Sequence, residues 1–276
     1  MKSRASQLLC FALVACLAPA QAPATLEPAR LTHAEAIPVD AKIPEDPAVQ
    51  AFLAPYEARM KAEFGRVLCQ SPEGLFRAKR GGSESPLGFW MADLMRTRAE
   101  ALLGKAVPAA LTNSGGIRAN LRPGPVTVGS IYEVSPFDNE LVVVELKGAD
   151  LITALRAGLE RRAGEPCSGV KVSLKGSVAK PEVEIRWADG RVLDPTKSIL
   201  VATNDFLATN GDTMAGLAKG GRILHTGLTI RQLLLDACEQ LGKEGKTLNA
   251  PSGGRYLVAP ELLQALAEHK LKLVAP

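Results

Sequence analysis

Apolar residues recur at helical spacing in four stretches of this 276-residue chain. The first follows Asp46 and Pro47, which suit an N-cap and a first helical position, and carries Val49, Phe52, Leu53, Tyr56, Met60 and Phe64. Pro55 falls inside that pattern and is expected to kink or split the helix. A second helix is predicted in "ESPLGFWMADLMRTRAEALLGK", with Leu87, Trp90, Met91, Leu94, Met95 and Leu102 on one face and Gly104 as its stop. "GADLITALRAGLERRAG" places Leu151, Leu155 and Leu159 on one side and ends at Gly164. "GLTIRQLLLDACEQLGK" has a face of Ile230, Leu233, Leu234, Ala237 and Leu241.

Between these helices lie period-two or β-branched runs. They are "AALT", "LVVVEL", "GVKVSL", "EVEIRW" and "SILVATN", with "PVTVGSIYEV" as a strand or short element. Helices and strands interleave without a strict repeat. The expected class is therefore mixed α/β (α+β), a mixed sheet packed with helices, rather than a doubly wound parallel fold.

Composition adjusts the picture at the N-terminus. "MKSRASQLLCFALVACLAPAQAPA" has Lys2 and Arg4, an apolar run from Leu8 to Leu17, then small residues and prolines. It reads as a secretory signal over residues 1–24, too short in its apolar part to span a bilayer. "LVAC" resembles a lipobox that would place a lipid on Cys16, whereas "APA" suits ordinary cleavage, and both readings stand. Periplasm or cell envelope is the expected location, with membrane contact only through such a lipid. Residues 25–43 read as an Ala/Pro-rich tether, 44–70 as a linker helix, 71–260 as the main domain and 261–276 as a C-terminal tail.

The net charge of +4, without a dense Lys/Arg run, argues against a nucleic-acid partner. Beyond the leader, Cys69, Cys167 and Cys238 leave two readings open, one pair plus a free thiol or three buried thiols. His33, His225 and His269 have no ligand-spaced partners, and metal and phosphate-loop motifs are missing from the sequence. No metal and no cofactor is expected in this chain, and no catalytic residue is assigned.

Three polar stretches carry the candidate chemistry. "LTNSGGIRANL" offers Asn113, a backbone open to close approach at Gly115 and Gly116, and the planar fork of Arg118. "EVSPFDNEL" sets Phe137 in a loop with Asn139 two residues on. "VATNDFLATNGDTM" sets Phe206 in a turn-rich segment closing with Asp212. Each alone reads as an ordinary turn, but each falls at or beyond a predicted strand end, where ligand clefts form in helix–sheet proteins. Two rings, an amide, a carboxylate and an arginine suit a nucleoside with phosphate.

In order and spacing, "SPLGFWMADLMR", "LTNSGGIR", "IYEVSPFDNELVVVELKGADL" and "NDFLATNGDTM" resemble the C-terminal domain of bacterial 5′-nucleotidases and UDP-sugar hydrolases. The resemblance runs from about Pro44 to about Val258. It implies that Phe137 and Phe206 sandwich a base, that Asn139 bonds its edge and that Asp212 takes ribose hydroxyls. Asn113, Gly115, Gly116 and Arg118 would line the phosphate side, with Arg77 or Arg80 matching a further arginine of the family.

The family's N-terminal metallophosphatase domain, with its two metals, has no counterpart motif in the sequence. The implied function is substrate positioning for a separately encoded metallophosphatase that holds the divalent metals. The alternative is a stand-alone envelope nucleoside- or nucleotide-binding protein. Two departures stand out, since Phe-Gly-Asn is here Phe137-Asp138-Asn139 and Gly-Gly-Asp-Gly-Tyr is Asn210-Gly211-Asp212-Thr213-Met214.

Overall fold

The computed structural model describes residues 40, 42–77 and 83–273. The signal segment 1–24, almost all of the tether 25–43, and Arg80 lie outside the described residues. The chain divides into compact units Met1–Pro47 and Ala48–Pro276. In the part of the first unit that is described, the Lys42 N–H donates to Asp40 Oδ1 at 2.8 Å.

In chain order the first elements are α1 (Pro47–Phe64), β1 (Val67–Ser71), α2 (Pro86–Leu103), β2 (Ala109–Leu111), β3 (Gly124–Thr127), α3 (Val128–Val134), β4 (Glu140–Lys147) and α4 (Gly148–Arg162). They are followed by β5 (Cys167–Ser168), β6 (Val170–Gly176), β7 (Pro181–Trp187), β8 (Ser198–Asn204) and α5 (Asp205–Asn210). The last are β9 (Arg222–Thr229), α6 (Ile230–Lys243), β10 (Tyr256–Val258) and α7 (Pro260–Ala267).

The centre is a five-stranded sheet of order β5-β2-β8-β4-β9. Only the β2–β8 pair is parallel there, so the sheet is mixed as the interleaved pattern predicts. Alternation along the strands divides the core in two. Val142, Val144 and Leu146 of β4 face one cluster with Leu151, Leu155 and Leu159 of α4, while Leu141 and Val143 face a second with Met91, Met95, Leu233 and Leu234. Burying side chains of this size stabilises by about 1.5–3 kcal/mol each, which fixes the register of the sheet against slippage.

The second helix starts where Ser85 Oγ accepts from the Gly88 N–H at 3.1 Å, and it ends on left-handed Gly104 at φ 61°. Two expectations, on residues 44–70 and 261–276, require correction, and two that named alternatives are narrowed. The linker helix anticipated over 44–70 stops at Phe64, and Val67–Ser71 is a strand paired with β3. Pro55 does not split α1, which runs unbroken through it. The run "VGSIYEV" is a helix because Thr127 and Ser130 form a reciprocal capping box. Residues 261–276 are more than a tail, since α7 buries Leu262 and Leu266, and Leu271 and Leu273 follow them into the core. Along α1 no residue is buried, so Val49, Phe52, Leu53, Tyr56 and Met60 present their apolar side chains outward.

Candidate functional site

The three polar stretches meet at one end of the central sheet, and strand register explains why. β2 runs parallel to β8 with Ala110 beside Ala202, so their C-terminal ends coincide. β4 runs antiparallel to β8 with Leu141 beside Asn204, so the start of β4 lies at that same end. Residues 112–118 leave β2 there, residues 135–139 enter β4 there, and residues 205–214 leave β8 there.

Asn204, the last residue of β8, anchors the junction. Its Oδ1 accepts from the Leu207 N–H at 2.8 Å and caps α5, while its Nδ2 donates to Thr112 Oγ1 and Asn113 Oδ1, each at 3.4 Å. Asn113 is 6% exposed, and its Nδ2 donates to Asp212 Oδ2 at 3.3 Å. The amide therefore orients the Asp212 carboxylate from behind rather than standing open at the surface. Gly116 allows that placement, because a Cβ there would lie 3.1 Å from Asn113 Oδ1. Asp212 is exposed in the left-handed region at φ 44°, directly after Gly211 at φ 71°.

Both rings stand clear of the core. Phe137 is 46% exposed and Phe206 is 43% exposed. Phe206 lies in the first turn of α5, and Asp205 Oδ1 accepts from the Phe206 N–H at 2.9 Å and from the Glu140 N–H at 3.1 Å, linking the start of α5 to the start of β4. The Arg118 guanidinium lies 5.9 Å from the centre of the Phe137 ring and donates to the Gly115 carbonyl at 3.1 Å. Arg77 donates to the Arg118 carbonyl at 3.0 Å, so its side chain buttresses that loop. Asn139 is half-buried, and its carbonyl accepts from the Ile230 N–H at 2.8 Å.

Two residues that matter here carry no sequence signal. Arg231 donates to the carbonyls of Ser135, Pro136 and Phe137 at 3.3, 3.0 and 3.5 Å and pairs with Asp138, and its guanidinium lies 4.4 Å from the centre of the Tyr132 ring. Glu165 is 2% exposed, and its carboxylate accepts from the Ser114 N–H at 2.6 Å and from the Thr213 hydroxyl at 2.8 Å. Burial pushes the Glu165 carboxyl above its ordinary range, against the opposing pull of these hydrogen bonds. Neither residue sits in a recognisable motif. Only the tertiary arrangement gives them partners.

His225 Nδ1 lies 2.7 Å from Glu140 Oε2, and this contact, with the Gly227 N–H, holds the Glu140 carboxyl below its usual range. A shallow groove of about 610 Å³ lined by Lys61, Phe64, Tyr132 and Glu133 includes none of Asn113, Arg118, Phe137, Asn139, Phe206 and Asp212. Among the described residues no three His, Cys, Asp or Glu side chains converge to hold a metal ion.

The chain matches the family model "5′-nucleotidase, C-terminal domain" over residues 67–219, more than half its length. It is 30% identical to endonuclease YhcR of Bacillus subtilis over 64% of this chain and 14% of that one. It is 27% identical to protein UshA of Yersinia enterocolitica over 72% of this chain and 36% of that one. The structure of a 5′-nucleotidase precursor from Thermus thermophilus superposes with a TM-score of 0.66 at 30% identity, covering 79% of this chain and 44% of that one. The chain thus spans less than half the length of each of these relatives. Resting on the matched family model, and with the same mixed sheet and helices behind its loops, the chain belongs to the 5′-nucleotidase C-terminal domain family.

Proposed function

We propose that this chain binds a nucleotide or nucleoside at the loop cluster and positions it for phosphoester hydrolysis by a metallophosphatase carried on a separate chain. One observation carries the reading. Two half-exposed rings, Phe137 in the loop before β4 and Phe206 in α5 after β8, project from segments joined to adjacent strands, with Arg118 beside one and Asp212 in the segment that follows the other.

The rings supply stacking faces for a base, worth about 1–3 kcal/mol each. Asn139 offers its amide to the base edge, and Asp212, oriented by Asn113, accepts from ribose hydroxyls. Arg118, with Gly115 and Gly116, faces the phosphate side, where a guanidinium binds oxygens in pairs. Arg77 serves by holding the Arg118 backbone. In this reading the divalent metals and the activated water are held by the metallophosphatase. The contribution of this chain is orientation of the scissile ester. The exposed apolar side chains of Phe52, Leu53, Tyr56 and Met60 on α1 support contact with a further domain. The leader residues support export to the periplasm or envelope.

Calorimetric titration with adenosine and AMP, without metal, tests this reading. The intact chain is expected to bind, and Phe137→Ala and Phe206→Ala each to weaken binding about 5- to 100-fold. Equal affinity in the intact chain and both ring variants would remove the sandwich. Phosphate release by the isolated chain with manganese, above the Phe206→Ala control, would remove the division of labour.

A further inference from the structure

Of the three cysteines in the described residues, Cys69 and Cys238 belong to one core cluster and Cys167 to the other. Cys69 lies in β1 and Cys238 in α6, elements far apart in sequence but packed directly together. The approach is close enough that a Cβ on Gly242 would sit 1.9 Å from the Leu68 carbonyl oxygen and 3.8 Å from Cys69 Cα. Cys238 precedes Gly242 by four residues and so shares its helix face one turn earlier. That places Cys238 on the part of α6 that packs on β1 beside Cys69. Both side chains are buried, Cys69 at 4% and Cys238 at 0% exposure, in the same apolar cluster.

We propose that Cys69 and Cys238 form a disulfide that fastens α6 to β1 when the chain folds in an oxidising compartment. The oxidant is a disulfide of the class RS–SR, either a small molecule or an oxidised dithiol protein of that compartment. The Cys69 thiolate attacks one sulfur of RS–SR, forms a mixed disulfide and expels RS⁻. Cys238 then gives up its proton, attacks the Cys69 sulfur and expels the second RS⁻. Two cysteines lose two electrons and two protons in total, and RS–SR leaves as two RSH.

The neighbouring Cys238 side chain lowers the Cys69 thiol, whereas the Cys69 side chain and burial raise Cys238, which agrees with Cys69 as the first attacker. Cys167 is the inert one, its thiol pushed up to about 12 by burial on the other side of the sheet. The bond would also steady the end that carries the candidate site, because Arg231, which grips residues 135–138, lies in the first turn of the helix that carries Cys238. This inference does not depend on the proposed ligand.

The test is refolding of the full chain from the reduced, denatured state in a mixture of reduced and oxidised glutathione. Alkylation and peptide mapping by mass spectrometry follow, distinguishing Cys10 and Cys16 of the leader. A peptide pair joining Cys69 to Cys238 is expected as the dominant cross-link, retained in Cys167→Ala. Closing so long a loop should make the melting temperature of the oxidised wild type fall about 5–15 °C on reduction. The Cys69→Ser/Cys238→Ser variant should show no such fall. Recovery of Cys69 and Cys238 as free thiols from the oxidising mixture, or either of them joined to another cysteine, overturns the proposal. That readout needs only the wild-type chain, so poor folding of a variant does not protect it.

Discussion

Glu165 makes the most demanding test of how the candidate site is held together. Its carboxylate joins the segment after β2, through Ser114, to the segment after α5, through Thr213. Its backbone is fixed as well, since the Glu165 N–H donates to the Tyr256 hydroxyl at 3.1 Å and that hydroxyl donates to the Glu165 carbonyl at 2.5 Å. Glu165→Ala removes two charge-assisted bonds, each worth about 1.5–3 kcal/mol, and strands a buried N–H. Part of that loss is offset because the buried carboxylate no longer has to be kept from water. The net expectation is a destabilisation of about 2–4 kcal/mol. Glu165→Gln keeps an acceptor for Ser114 and offers a donor to Thr213, so it should cost about 1 kcal/mol or less.

The sign of the pH dependence separates this reading from a merely steric one. Burial raises the folded-state carboxyl above its unfolded value of about 4.3, so the folded state holds the proton more tightly. This contribution to stability is complete below about pH 4.3 and is lost as pH rises through the folded value. In Glu165→Gln that decline should vanish, and the two proteins should differ in slope as well as offset. Urea unfolding of wild type, Ala and Gln between about pH 4 and 8, together with AMP titration, provides the readout. If Glu165→Ala lay within about 0.5 kcal/mol of wild type at every pH, the reasoning would be refuted.

Other perturbations bear on the neighbouring loops. Arg231→Lys should fail to rescue Arg231→Ala, because one ammonium cannot serve three carbonyls, Asp138 and the Tyr132 ring together. Faster amide exchange at residues 135–139 and about tenfold weaker AMP binding are expected in both variants, by exchange mass spectrometry and calorimetry. Gly211→Ala should cost about 2–3 kcal/mol in chemical denaturation, since its φ is 71° and its Cβ would lie 2.6 Å from Ala215 Cα. Gly104→Ala, left-handed but with nothing within 4 Å, should cost only about 1 kcal/mol in the same assay.

How much of this was legible in the sequence depended on element length and on where partners sit. Long periodic stretches such as 86–103 and 230–243 announce themselves, because several turns of a helix bury the same face. α5 is six residues long, too short for periodicity, and exists because Asn204 caps it. α7 hides in what reads as a tail, since Leu262 and Leu266 gain meaning only when the core they enter is known. β9 alternates but is interrupted by Gly227, and its residues are largely half-exposed. The site behaved likewise. The three polar stretches were visible one by one, whereas their meeting depends on the register of β2, β8 and β4. Glu165 and Arg231 could not be found in advance, because each acts on residues 48 or more positions away.

The departures from the family's loop pattern bear on whether the site is kept or decaying. A decaying loop accumulates side chains without partners, and three of the four altered positions, Asp138, Thr213 and Met214, show the opposite. Asp138, where the resembled pattern has glycine, is paired with Arg231, so the negative charge it adds near Phe137 is locally balanced. Thr213 spends its hydroxyl on Glu165, and Met214 is fully buried in the core beside α4. Asp138 and Thr213 therefore each have a counterpart on a distant element, Arg231 and Glu165, the two residues that support residues 135–138 and the segment around Asp212. Losing Arg231 or Glu165 would leave Asp138 or Thr213 without its partner. Each substitution and its support thus form a coupled pair, so Asp138→Gly should offset part of the loss in Arg231→Ala, and Thr213→Gly part of the loss in Glu165→Ala.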